Sequence, residues 1–158
     1  KPPREHAKIH DGGHFMTRLF PEISVVVPVY HAEKIIAALI QALLNQDYPK
    51  NCYEIIVVDN NSTDQTTEII RRYPVILEEE KNIQSSFAAR NLGIQKARYK
   101  ILAFTDADCL PTPSWLTEGV QALEKPSVYL AGGPILFSFS KEKTLGEMYD
   151  SLMNLDYV

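Results

Sequence analysis

The sequence predicts a three-layer α/β/α sandwich built on a mainly parallel sheet. Three observations carry that expectation. Between Ile23 and Ala131, apolar runs and helical stretches alternate four or five times, the order that builds parallel sheets through helical crossovers. The runs ISVVVPV (23–29), YEIIVV (53–58) and ILAF (101–104) are almost continuously apolar, as expected of strands covered on both faces. Acids then follow two of the runs at once: Asp59 after the second, Asp106 and Asp108 after the third. Ligands of open parallel sheets bind outside the carboxyl ends of the strands, so these acids are predicted to share one edge.

The elements follow in order. Residues 1–20 read as a polar leader, loose or lightly packed. His6, His10 and His14 recur there at four-residue spacing. On a helix they would share a face and, with Asp11, could hold a metal, but Gly12 and Gly13 would break such a helix. Ile23–Val29 is the first strand, with its polar break at Tyr30 and His31. Ile35, Ile36, Leu39, Ile40, Leu43 and Leu44 recur at helical spacing, predicting a helix from Ala32 to Asn45. Tyr53–Val58 is the second strand and delivers Asp59. Ser62 or Asp64 can cap the next helix, which runs through Ile69 and Ile70 to Pro74. Val75–Leu77 is a short third strand, and Glu78–Lys81 a solvated edge or loop.

Ser85 or Ser86 opens a third helix with Ala88, Ala89, Leu92 and Ala97 able to pack. Lys100–Phe104 is a buried fourth strand. A helix from Trp115 follows Pro111 and Pro113 and ends at Pro126, with Leu116, Val120 and Leu123 on one side. Val128–Ala131 is predicted as a fifth strand closed by Gly132 and Gly133. Ile135–Phe139 alternates like another extended segment. In the tail, Leu145, Met148, Leu152 and Leu155 have helical spacing.

Composition excludes several classes. The chain has 158 residues, 45% hydrophobic and 23% charged, with a net charge of -4. That is globular composition without the basic surplus of a general nucleic-acid binder. Two cysteines, Cys52 and Cys109, stand far apart in no metal-like spacing. They predict a reduced, cytoplasmic setting. No apolar run has the length of a membrane span, and membrane association, at the inner face, would come through segments outside this sequence. Neither G-x-G-x-x-G nor G-x-x-x-x-G-K-[ST] occurs, so a nucleotide site needs another device.

Asp106 and Asp108 offer such a device. Two hard oxygen donors close together at a strand end suit a divalent cation and the phosphates it carries. The plain alternative is a pair of solvated turn acids before Pro111 and Pro113.

Four stretches taken together resemble one family: VVVPVYHAE (25–33), VVDNNSTDQT (57–66), AARNLGIQKA (88–97) and FTDADC (104–109). In order and spacing they are similar to the catalytic domain of the family 2 glycosyltransferases, nucleotide-sugar enzymes of the GT-A fold. The resemblance covers roughly residues 23–133. It implies a nucleotide-sugar-binding GT-A domain over residues 21–140. Residues 141–158 would then be the helical start of the acceptor-side region, and the fold would be incomplete at the C-terminus.

The resemblance also implies residue roles. Pro28, Tyr30 and Glu33 would line the base and ribose pocket, and Asp59 would read the uracil edge. For Asp59 the structural alternative is an Asx turn or helix cap before Thr63. Arg90 would be a polar contact to the nucleotide, or a partner of Asp59 or Glu33. Asn91 and Gly93 would maintain close packing beneath the site. Asp106 would contact ribose and Asp108 the metal, Mg²⁺ or Mn²⁺, bridging the phosphates of a UDP-sugar or similar donor.

The implied activity is inverting, metal-assisted transfer of the sugar to an acceptor hydroxyl on a glycan, lipid carrier, protein or small molecule. In inverting members the general base is an Asp after the D-x-D, often in a Glu-Asp pair. The acids after Gly133 are Glu142, Glu147, Asp150 and Asp156, none in such a pair. The base is therefore expected beyond Val158, with this chain the front part of a longer one. The alternatives are a natural short form that binds a nucleotide without transfer, and a nucleotidyltransferase. The stretch PVYHAEK (28–34) lacks the Gly- and Arg/Lys-rich loop such an enzyme would carry there.

Overall fold

The two most apolar runs take the middle of the sheet. The structure, a computed structural model, describes residues 5–11 and 14–134. Its main sheet joins β3 (Ile23–Val29), β4 (Tyr53–Asp59), β5 (Ile76–Glu79) and β6 (Ile101–Phe104) in the order β5-β4-β3-β6. All three pairings are parallel. Every residue of β3 and β4 is buried, because each strand has a neighbour on both sides and helices above and below.

The helices are α1 (Ile36–Leu44), α2 (Thr66–Ile70), α3 (Ser86–Lys96) and α4 (Trp115–Leu123). On one face, Val25, Val27 and Val29 of β3 and Ile55 and Val57 of β4 pack in one core with α1, α2 and α4. Ile36, Leu39, Ile40 and Leu43 of α1 are wholly buried there, each contributing roughly 1.5–3 kcal/mol. On the other face, Ile56 and Val58 pack against Ala89 and Leu92 of α3. Gly93 lets that helix sit close. A Cβ there would stand 2.4 Å from Val26 Cγ1, nearer than packed carbon atoms can approach. The three layers match the sequence expectation.

Several elements differ from it. Within the polar leader, β1 (Glu5–Asp11) and β2 (His14–Leu19) pair antiparallel in a separate two-stranded sheet. His6, His10 and His14 thus lie on strands, not on a helical face. α1 begins four residues later than expected, because Ala32–Ile35 form a turn in which the Ile35 and Ile36 N–H groups both donate to Ala32 O. β5 extends into the acids Glu78 and Glu79, which an edge strand tolerates when cations lie alongside. Lys96 pairs with Glu78, and Arg71 and Lys81 with Glu79.

β6 is half-buried rather than buried. Among the described residues it pairs only with β3, so one side and part of Phe104 stay open. Residues 128–131 are irregular, with Tyr129 and Leu130 exposed; a strand needs a ladder partner, and none lies beside them among the described residues. The expected extended segment at Ile135–Phe139 and the tail helix lie outside the described residues. No helix among the described residues is long and apolar enough to cross a membrane.

Candidate active site at the carboxyl edge of the sheet

The register fixes which side chains meet. Val29 of β3 is level with Asp59 of β4, and Val26 of β3 is level with Phe104 of β6. Asp59, Tyr30 and the D-x-D acids therefore emerge at the same carboxyl edge. Because α3 runs back across the sheet, its first turns return to that edge, and there Arg90 forms an ion pair with Asp106. The sequence had offered Asp59 or Glu33 as the partner of Arg90.

Asp59 is only 3% exposed. Its Oδ2 accepts from the Ser62 N–H at 3.0 Å, the Asx-type contact foreseen as its structural alternative. Its Oδ1 is buried and has no hydrogen-bond partner. Buried polar atoms are rarely left so, and this one lies at the strand end beside the loops of the carboxyl edge.

The loops around it are tied together tightly. His31 takes a left-handed φ of 48°, and its ring stacks on Tyr30 with centroids 4.0 Å apart. Its N–H donates to Ser62 Oγ at 2.9 Å, and Nε2 shares a 3.0 Å hydrogen bond with Thr63 Oγ1. The Ala32 N–H donates to Thr66 Oγ1 at 2.8 Å. Glu33 and Asp64 clasp each other's loops: the Glu33 N–H donates to Asp64 Oδ2, and Glu33 Oε2 accepts from the Gln65 N–H at 3.1 Å. Asp64 also accepts from the Thr66 N–H. Slight burial pushes the Asp64 carboxyl upward, but hydrogen bonds from Thr66 and Glu33 outweigh it and hold it below its usual range.

Pro28 is buried within β3, Tyr30 is about half exposed and Glu33 is exposed. Asn60, next to Asp59, has a structural part that residue type alone did not reveal. It is buried, and its Nδ2 donates to Glu80 O at 3.1 Å and Ile83 O at 2.9 Å. It thereby fastens the end of β4 to the segment that leads into α3. An Asn in a polar stretch carries no mark of burial, so only the preceding strand hinted at it.

Asp106 and Asp108 lie in the turn after β6, both exposed. The Cys109 N–H closes that turn onto Asp106 O at 3.1 Å. Burial, followed by the charge of Asp108, pushes the Cys109 thiol up. Among the described residues no group of three or more His, Cys, Asp or Glu is placed to hold a metal. The two D-x-D carboxylates are hard donors that fit Mg²⁺ or Mn²⁺, but a full shell would need oxygens from a ligand. A separate cleft of about 380 Å³ opens at the amino edge, beside Lys50, Tyr53, Glu54, Val75 and Arg98. None of the predicted site residues lines it.

Comparison with known proteins places the chain in a family. The model of Glycosyl transferase family 2 matches residues 24–157. The chain is 40% identical over 147 residues to the glycosyltransferase AglE of Haloferax volcanii, covering 89% of this chain and 48% of that protein. It thus spans about half the length of that relative. Among solved structures it is similar to a mannosyltransferase from Pyrobaculum calidifontis in complex with GDP-Man and Mn²⁺, at 34% identity and a TM-score of 0.65. That match covers 68% of this chain and 34% of the other. It is also similar to Staphylococcus aureus TarS in complex with UDP, at 28% identity and a TM-score of 0.59, covering 73% and 39%. With the strand-end acids, the loop clasp and these likenesses together, the chain belongs to glycosyl transferase family 2, with the GT-A fold.

Proposed function

We propose that this chain binds the donor of a metal-assisted, inverting glycosyltransferase that uses a UDP-sugar. Residues 21–140 form the donor-binding unit, and residues 141–158 lead into the acceptor side. The observation that carries the reading is Asp59 Oδ1, buried and without a partner. Because Ser62 already occupies Oδ2, Asp59 has one free acceptor oxygen. Uracil presents a single imide N–H flanked by carbonyls and matches it. Guanine presents two adjacent donors, and cytosine an acceptor at the same place. The imide is shared with thymine, so discrimination against dTDP falls to the ribose hydroxyl that Asp106 would accept from.

The remaining residues shape the site. Tyr30, backed by His31, offers an aromatic surface toward the base. Pro28 forms the floor, and Glu33 fixes the two loops against each other. Asp108 would hold Mg²⁺ or Mn²⁺, with the negative charge of Asp106 close by. A cation there supplies positive charge against the negative charge that grows on the departing diphosphate. An inverting course requires a general base to take the acceptor hydroxyl's proton as that oxygen attacks the anomeric carbon. The acceptor is a glycan, lipid carrier, protein or small molecule.

Calorimetry on the intact protein with UDP, GDP, CDP and dTDP, each with Mn²⁺, tests the donor assignment. UDP should bind most tightly, and Asp59→Ala should weaken it by about tenfold or more, the worth of a hydrogen bond to a charged group. Equal affinity for all four, or an unchanged UDP affinity in the variant, would refute the role given to Asp59.

A further inference from the structure

The acids at the carboxyl edge are unequally partnered. Arg90 Nη2 pairs with Asp106 Oδ1. Asp108, two residues on, has no ion-pair partner among the described residues and meets only the Cys109 thiol, 3.7 Å from its Oδ1. The two members of the pair are also unequally held. The Arg90 side chain is 28% exposed and that of Asp106 55%. Arg90 rides on α3, which Gly93 seats against Val26 and Val58 less than one turn later. Core packing therefore sets the position of the cation, whereas the acid sits on a turn.

We infer that Arg90 is a positioning residue for the D-x-D pair, acting through Asp106 in two ways. It orients Asp106 toward the ribose, and its charge keeps the two acids from capturing a divalent cation before the nucleotide arrives. The inference rests on the donor-site reading above. Two carboxylates with one residue between them can share a cation weakly, and hold it better while both are free. A guanidinium on one of them removes half of that attraction and repels the approaching ion. A nucleoside diphosphate brings its own oxygens to complete the shell, so cation and nucleotide enter together. Arg90 thus makes cation binding depend on the nucleotide.

Mn²⁺ titrations of the intact protein, followed by the electron paramagnetic resonance of free Mn²⁺, test this with and without UDP. In Arg90→Gln, Mn²⁺ alone should bind about fivefold more tightly, the upper worth of an exposed ion pair. UDP with saturating Mn²⁺ should bind about tenfold more weakly in the same variant. Adding Asp106→Asn to Arg90→Gln should abolish the gain in Mn²⁺ binding. Arg90→Lys keeps the charge without the planar fork. It should restore wild-type binding of Mn²⁺ alone and recover UDP affinity only in part.

Unchanged binding of Mn²⁺ alone in Arg90→Gln overturns the inference, whatever happens to UDP. If Arg90→Gln does not fold, Arg90→Lys carries the test, and UDP affinity equal to wild type overturns the orienting role. Failure of the wild-type protein itself to bind UDP with Mn²⁺ overturns the donor-site reading, and is recognised because no variant is involved.

Discussion

Two carboxylates stand five residues apart on β4, one at each end of the strand, and they are treated in opposite ways. Glu54, at the amino edge, is buried and fully used. Its Oε1 accepts from Ser24 Oγ at 2.6 Å and from the Arg98 N–H at 2.8 Å, and its Oε2 accepts from Arg98 Nε at 2.6 Å. The Tyr99 N–H donates in turn to Ser24 Oγ at 3.1 Å, so this network fastens the chain between α3 and β6 to the bottom of the sheet. Asp59, at the carboxyl edge, is buried as deeply but keeps one oxygen idle. A buried acid with both oxygens engaged holds the fold. One engaged on a single side keeps an acceptor in reserve. The same sheet thus separates a fully tied end from the end where the proposed donor site lies.

The sharpest way to break this contrast lies at the carboxyl edge. Asp108→Asn should abolish the Mn²⁺ dependence of UDP binding, with a loss beyond the ~10–100-fold that removing a supporting residue causes. Its melting temperature should barely move, because an exposed strand-end acid contributes little packing. Mn²⁺ titration with and without UDP, beside a thermal melt, reads both. A variant that binds UDP and Mn²⁺ as wild type does would remove the D-x-D from the metal site.

Glu54→Ala should give the opposite pattern. Ser24 and the Arg98 N–H lose their acceptor, and stability should fall by about 2 kcal/mol, a figure kept modest because Arg98 is largely exposed. Urea unfolding measures the loss, and UDP affinity of the folded protein should be unchanged. A Glu54→Ala protein of normal stability would erase the distinction between the two ends.

The smallest effect is in pH. Burial pushes the Glu54 carboxyl up, but the hydrogen bonds from Ser24 and Arg98 and the charge of Arg98 outweigh it, so it titrates below the ordinary value of 4.5. On acidification the unfolded chain takes up this proton first. The stabilisation is complete above that ordinary value and is lost as pH falls through the lower, folded one. Urea midpoints measured from pH 6 down to about pH 3 should fall less steeply in Glu54→Gln than in wild type. Parallel curves would mean that Glu54 titrates alike in the folded and unfolded chains.

The sequence disclosed the centre of this molecule better than its margins. β3 and β4 were legible because a strand covered on both faces leaves an unbroken run of Val and Ile. The helix cap at Ser85 was legible because its side chain does the local work expected, accepting from the Ala88 N–H. An apolar run does not say how many neighbours it will have, so β6 looked as buried as β3. Val128–Ala131 looked like a strand, although pairing depends on chain elsewhere. The strand-end positions of Asp59, Asp106 and Asp108 could be counted from the runs before them. The partner of Arg90 and the burial of Asn60 could not, because both arise from α3 returning to the carboxyl edge.

The charged border at β5 has a consequence for the molecule among its own copies. β5 pairs with β4 alone among the described residues, and the free side of such a strand is a template on which another chain can add. Here Glu78 and Glu79 occupy the last half of the strand, drawn sideways to Lys96, Arg71 and Lys81. A strand from a second molecule would have to displace or desolvate these pairs to continue the ladder. Charge on an edge strand is one of the devices by which sheets discourage such growth from one molecule into the next, and these pairs place it there.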